Sequence, residues 1–237
     1  MTELKLPAIR FWLDTEFRSA QEQMSLDQAT FEMARKSRVA TVRFYHWNQP
    51  ATTVGYFHQF SGTEGLEPFP IRRFTGGGLV EHGEDATFAL VIPPHSAISQ
   101  QRGEERYRWV HTALADALLE AGVGVKLESS PMPLSTGPCF NTPVTWDLID
   151  SETGAKLGGG AQRRSSGLVM HQGSIRLPAA LRRPHSAWIQ DFLLSLADTI
   201  EPLHQGEIEQ LIEESQYWRC KRFATSEWNR WPDLEEV

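Results

Sequence analysis

The sequence predicts an α+β fold in one domain, a mixed and largely antiparallel sheet flanked by helices, and three observations carry that expectation. Helical and strand-like segments follow one another in blocks: helix, strands, helix, strands, helices. Two short turn sequences, "SETG" and "SSG", each separate strand-like runs as a hairpin would. The chain has 237 residues, 40% hydrophobic and 22% charged, the length and composition of a single globular unit with a sizeable core. The expected domain therefore spans residues 1–237, and the residues after Ser174, taken up by two helices and a closing segment, leave no room for a separate accessory domain.

Taken in order, "SLDQATFEMARKS" reads as the first helix, with Ser25 and Gln28 at capping-box spacing. The β-rich runs "ATVRFYHW" and "TTVGYF" follow, then the arginine and glycine stretch "RRFTGGGLVEHG", then "ATFALVIPP", an apolar run stopped by prolines. In "EERYRWVHTALADALLEAG", Val110, Leu114, Ala117, Leu118 and Ala121 share one helical face, and Gly122 supplies a C-cap. The segment "SSPMPLSTGPCFNTP" has prolines at 131, 133, 138 and 143 and reads as an irregular loop. "VTWDLID" and "AKLGGGAQRR" flank "SETG", and "GLVMHQGSIRL" is the next strand. In "SAWIQDFLLSLADTI", Ile189, Phe192, Leu193 and Leu196 form an apolar helical face, and "GEIEQLIEESQYW" is a last helix.

The start, "MTELKLPAIRFWLDTEF", is interrupted by Glu3, Lys5, Arg10 and Asp14, so neither a signal peptide nor a membrane span can be drawn through it, and the expectation is a soluble, cytoplasmic protein. A net charge of −7 argues against binding nucleic acid through its phosphates. The arginine doublets at 72–73, 163–164 and 182–183 nonetheless offer local docking points for an acidic partner. The two cysteines, Cys139 and Cys220, lack the spacing of a disulfide framework or a metal site.

Three features stand out chemically. Gly76, Gly77 and Gly78 permit close backbone approach, which suits either a tight turn or a loop whose N–H groups lie against an anionic ligand. There is no Walker A lysine and no dinucleotide spacing. Cys139, in a Gly-Pro-Cys-Phe-Asn loop, sits where a thiol is exposed and reactive rather than buried, whereas Cys220 reads as structural. Lys156 leads into a second glycine run, Gly158–Gly160, from which a lysine can reach a carboxylate, phosphate or polarised carbonyl lying on the glycines.

Taken together, "RRFTGGGLVEH", "AKLGGGAQRRSSGLVMHQGSI", "FYHWNQPATTVGYFHQ" and "SEWN" resemble the signature segments of the cofactor transferase family of lipoate protein ligases, octanoyl transferases and biotin protein ligase catalytic domains. The resemblance runs from Phe44 to Asn229. It implies that Arg72, His82 and the glycine loop Gly76–Gly78 line an acyl or acyl-adenylate pocket, together with Gly159, Gly160, Ala161 and Gln162. "GPCFNTPVTWDLI" is most similar to octanoyl transferases that use a loop cysteine. That similarity implies Cys139 as nucleophile and Lys156 as the group that orients the acyl carbonyl. It also implies acyl carrier protein as donor, a lipoyl domain or the glycine cleavage H protein as acceptor, and no need for ATP or metal. The chain departs from the family pattern at "GEDA", at Gly159-Gly160-Ala161-Gln162 and at His171-Gln172-Gly173-Ser174. The competing readings are an ATP- and Mg-dependent lipoate protein ligase, an amidotransferase between lipoyl domains, and an acyl-binding module without chemistry.

Overall fold

The computed structural model describes residues 4–59, 69–130 and 143–230. Cys139 therefore lies outside the described residues.

Strand β1 (Leu6–Arg18) leads into helix α1 (Ala20–Ser37), followed by β2 (Ala40–Trp47), β3 (Ala51–Val54), β4 (Ile71–Arg72), β5 (Val80–His82) and β6 (Asp85–Ile92). Helix α2 (Gly103–Glu120) precedes β7 (Val125–Leu127), β8 (Leu148–Asp150), β9 (Lys156–Ser165) and β10 (Leu168–Arg176). Helix α3 (Ala187–Leu196), β11 (Ala197–Pro202), α4 (Gln205–Trp218), a π-helical turn (Arg219–Phe223) and α5 (Ser226–Arg230) complete the chain.

Among the described residues the main sheet has eight strands in the order β11-β1-β2-β6-β10-β9-β8-β7, and β4-β3-β5 form a small second sheet. β1 pairs in parallel with both β11 and β2, and every other pairing in the main sheet is antiparallel. The mixed, largely antiparallel sheet is thus as the sequence predicts.

The core has two sides because successive side chains of a strand point to opposite faces. On β2 and β6, Val42, Phe44, Phe88, Leu90 and Ile92 join α2 and α3 in one cluster. Tyr45, Trp47, Ala89 and Val91 face the opposite way and pack with Met24 and Phe31 of α1 and with Phe74, Phe223 and Trp228. The anticipated faces of α2 and α3 are buried as expected: Val110, Leu114, Ala117, Leu118, Ile189, Phe192, Leu193 and Leu196 all lie in the first cluster, with Ala121 packed against it. Gly122 follows α2 at a positive φ of 80°, the conformation a helix stop demands. In the β9–β10 turn, Ser166 and Gly167 both have positive φ, as a two-residue hairpin requires.

Three expectations need correction. Helix α1 begins at Ala20, and its capping box is Ser19 with Glu22 rather than Ser25 with Gln28. Ser25 is buried mid-helix, its hydroxyl donating to the Gln21 carbonyl. β1 was not anticipated, because its charged residues mask the pattern. Asp14 is buried beneath Arg43, and Arg10 is paired with Glu207 of α4. Finally, Cys220 is exposed in the π-helical turn, not buried as a structural cysteine would be. No described helix is long and apolar enough to cross a membrane.

Candidate active site

β9 carries the second glycine run along the floor of a pocket that encloses about 490 Å³ of empty space, its opening included. Its floor is Gly159, Gly160 and Ala161 of β9, Gln172–Ser174 of β10, Thr87 of β6 and Tyr45 of β2. Met24 of α1 and Arg73, Val80 and His82, in and beside the small sheet, complete the lining.

Lys156 stands at the β9 end. Its Nζ lies 2.6 Å from Asp147 Oδ2, and both side chains are almost wholly buried. A buried ion pair is favoured where its remaining valences are met, and Asp147 has further partners on both oxygens. The Val144 N–H donates to Asp147 Oδ2 at 2.7 Å, and the Tyr107 hydroxyl donates to Oδ1. Tyr107 in turn accepts the Gly160 N–H at 2.9 Å, which ties the counter-ion of Lys156 to the pocket floor.

The glycines of β9 are explained by contact. A Cβ at Gly159 would sit 2.8 Å from Asp147 Oδ1 and 3.1 Å from Lys156 Nζ. One at Gly160 would meet His171 Nε2 at 2.3 Å, on the opposite face. Behind that face, His171 and His111 are both fully buried, and among the described residues neither Nε2 has a hydrogen-bond partner. Burial holds His111 neutral, with its pKa lowered to about 4, and pushes His171 well below its ordinary value.

His82 lines the pocket, and both its ring nitrogens are engaged within the wall. Nδ1 lies 2.7 Å from Asp85 Oδ2 and Nε2 lies 2.8 Å from Thr53 Oγ1, while the ring stacks on Trp47 at 4.0 Å. Burial pushes the Asp85 carboxyl up, but the His82 charge and the hydrogen bonds from His82, Ser174 and the Gly83 N–H outweigh it and bring the pKa to about 2.

Arg72 is not a lining residue. Its guanidinium donates to the carbonyls of Gly55, Tyr56, His58, Trp228 and Arg230, and its backbone N–H donates to Asn229 Oδ1. It clamps the closing "SEWN" segment to the "GYF" segment. The neighbouring Arg73 faces the pocket instead, donating to Thr53 Oγ1 and to the carbonyls of Gly76 and Gly78. Gly76, Gly77 and Gly78 therefore form a turn clasped by Arg73 and lie beside the lining rather than in it. Gly77 has a φ of 88°, and its carbonyl oxygen would be 1.9 Å from a Cβ on Gly55.

Gln162 also falls outside the pocket, because strand alternation turns it to the α2 face, where it meets Arg106 and His171. Arg163 is no free docking residue: its guanidinium stacks 4.1 Å from the Phe74 ring centre and 4.5 Å from that of Tyr56.

Asp147 and Tyr107 lie at the site without having been singled out from the sequence, and Arg73, read there only as part of a docking doublet, lines the pocket. For Asp147 a signal existed, since Ile149 pairs with Lys156 across the predicted hairpin and Asp147 lies two residues before it.

This is an α+β domain with a mostly apolar pocket that ends at a lysine held against a buried carboxylate, an arrangement that can take an apolar ligand with a polar group at the lysine end. The lipoyl protein ligase A/B catalytic domain matches residues 19–199, and the chain belongs to that family. It is 29% identical over 178 residues to octanoyltransferase LipM of Oceanobacillus iheyensis, which covers 70% of this chain and 63% of that protein. It is 32% identical over 183 residues to octanoyltransferase LipM of Symbiobacterium thermophilum, covering 70% and 64%. The chain thus spans just under two thirds of the length of these relatives. Its fold matches that of a lipoate-protein ligase A solved with ATP, with a TM-score of 0.70 at 18% identity over 96% of this chain and 100% of that one.

Proposed function

We propose that this protein is an octanoyl transferase of protein lipoylation, working through a thioester on Cys139. The observation that carries the reading is the Lys156–Asp147 pair at the end of the apolar pocket, with Asp147 eight residues along the chain from Cys139. Val144, whose N–H is bound by Asp147, is separated from Cys139 by five peptide bonds, a reach of no more than about 18 Å.

In the first step the Cys139 thiolate attacks the thioester carbonyl of octanoyl acyl carrier protein. The bond from that carbon to the carrier sulfur breaks, and the carrier leaves as a thiol after taking up a proton. In the second step the ε-amine of a lipoyl-domain or H-protein lysine attacks the enzyme thioester, forming an amide and returning the Cys139 thiol. Thioester exchange is near neutral and amide formation is downhill, so no nucleotide is consumed. The Lys156 ammonium supplies positive charge where the carbonyl oxygen becomes an oxyanion, and Asp147 fixes its position. The pocket shields the octanoyl chain from water, which favours burial by about 0.8 kcal/mol per methylene.

The alternative is a lipoate ligase, in which Lys156 binds the acyl adenylate, ATP and Mg are required, and Cys139 is a bystander. The two are separated by supplying an apo lipoyl domain with octanoyl acyl carrier protein without ATP, or with octanoate, ATP and Mg. Modification under the first condition supports the transferase, and modification only under the second overturns it.

A further inference from the structure

The pocket floor is graded. Strand register places Gly159 of β9 opposite Ser174 of β10, Ser174 opposite Thr87 of β6, and Thr87 opposite Tyr45 of β2. Residues paired in this way share a face of the sheet, and all four line the pocket. The row runs across the strands from the Lys156 end, and its side chains grow at each step, from none through a hydroxymethyl and a branched alcohol to a phenol ring. With strands about 4.8 Å apart, Gly159 to Thr87 spans roughly 10 Å, comparable with an extended eight-carbon acyl chain. Next to Thr87 in the row stands Tyr45, whose hydroxyl is anchored on buried Asp27 at 2.9 Å and whose ring packs on Trp47 at 5.7 Å.

The hydroxyls in this row are already engaged. Ser174 Oγ donates to Asp85 Oδ2 at 2.6 Å. Thr87 Oγ1 donates to the same carboxylate oxygen at 2.9 Å and accepts the Trp47 indole N–H at 2.8 Å. What Thr87 has left to offer a ligand is its methyl group.

We propose that Ser174 and Thr87 are the residues that set acyl chain length, with Asp85 turning their hydroxyls out of the ligand's way. This rests on the octanoyl reading of the same pocket and adds which side chains measure the chain.

Two hydroxyl-preserving substitutions test it. Thr87→Ser removes one methyl at the far end, and Ser174→Thr adds one nearer the lysine, while each keeps its bond to Asp85. Dissociation constants of six-, eight-, ten- and twelve-carbon fatty acids are measured for wild type and both variants, alongside acyl transfer from thioesters of the same lengths. The ten-to-eight preference should rise about fourfold in Thr87→Ser, the factor that one methylene of about 0.8 kcal/mol gives. In Ser174→Thr the six-to-eight preference should rise by a similar factor. Unchanged profiles, or shifts in the same direction, in variants that melt like wild type would overturn the proposal. Shifted binding with no transfer from any thioester would leave the length-setting role standing and remove the transferase reading.

Discussion

The two glycine triplets, Gly76–Gly78 and Gly158–Gly160, look interchangeable as strings, and the fold uses them for opposite reasons. The first is a turn. Gly77 needs a positive φ, and the carbonyls of Gly76 and Gly78 fold back onto Arg73. The second is straight strand without a positive φ, and its glycines are there because a side chain on either face would strike something buried. A glycine run chosen for backbone freedom tolerates change wherever φ is ordinary. A run chosen for the space of its neighbours does not.

The largest effect should come from the neighbours of the second run. Lys156→Met removes the charge aimed at the acyl carbonyl and should lower kcat for acyl transfer by about 10²–10³, the usual cost of one oxyanion donor. A kcat within a few-fold of wild type would show that the pair with Asp147 is only structural.

Acid should act on the surroundings of the second run. His111, behind Gly158–Gly160, has its folded pKa lowered to about 4, against about 6.5 when unfolded. Its contribution is therefore complete above about pH 6.5 and is lost as pH falls toward 4, on the order of 3 kcal/mol. Asp85, bound to His82 and Ser174, is lowered to about 2, so its contribution persists until pH falls below about 4 and is lost toward 2. Thermal melts between pH 7 and 4 should thus show a falling Tm in wild type and a smaller fall in His111→Gln. Equal falls would remove His111 as the cause.

Gly160→Ala puts a methyl 2.3 Å from His171 Nε2 and 3.0 Å from the Gln172 carbonyl, so it should cost about 1–3 kcal/mol by denaturant titration. Gly76→Ala has nothing within 4 Å of the new methyl and should stay within about 0.5 kcal/mol of wild type. If the two alanine variants lost equal stability, the distinction between the runs would collapse.

Sequence reveals the middle of this fold better than its edges. β2, β6 and the β8–β9–β10 hairpins are legible because apolar runs there are bounded by glycine, proline and serine turns. β1 is not, because its charges serve partners far along the chain, Arg10 to Glu207 and Asp14 to Arg43. β11 is hidden for a different reason: it continues from α3 with no turn residue between Leu196 and Ala197.

The site shows the same division. Lys156, His82 and Gly159–Ala161 are marked by local motifs and do line the pocket. Arg72 and Arg73 are adjacent and chemically identical, and only the tertiary fold decides that one clamps Trp228 and Asn229 while the other meets the pocket. Tyr107 joins the site from α2, forty residues from Asp147, and no local spacing announces that meeting.

Acyl transfer through a Cys139 thioester can be tested by intact-protein mass spectrometry after mixing the protein with octanoyl acyl carrier protein in the absence of ATP. The expected result is one octanoyl adduct, absent in Cys139→Ser and discharged when an apo lipoyl domain is added. An adduct that survives in Cys139→Ser, or lipoyl-domain modification that proceeds equally well in that variant, would contradict it.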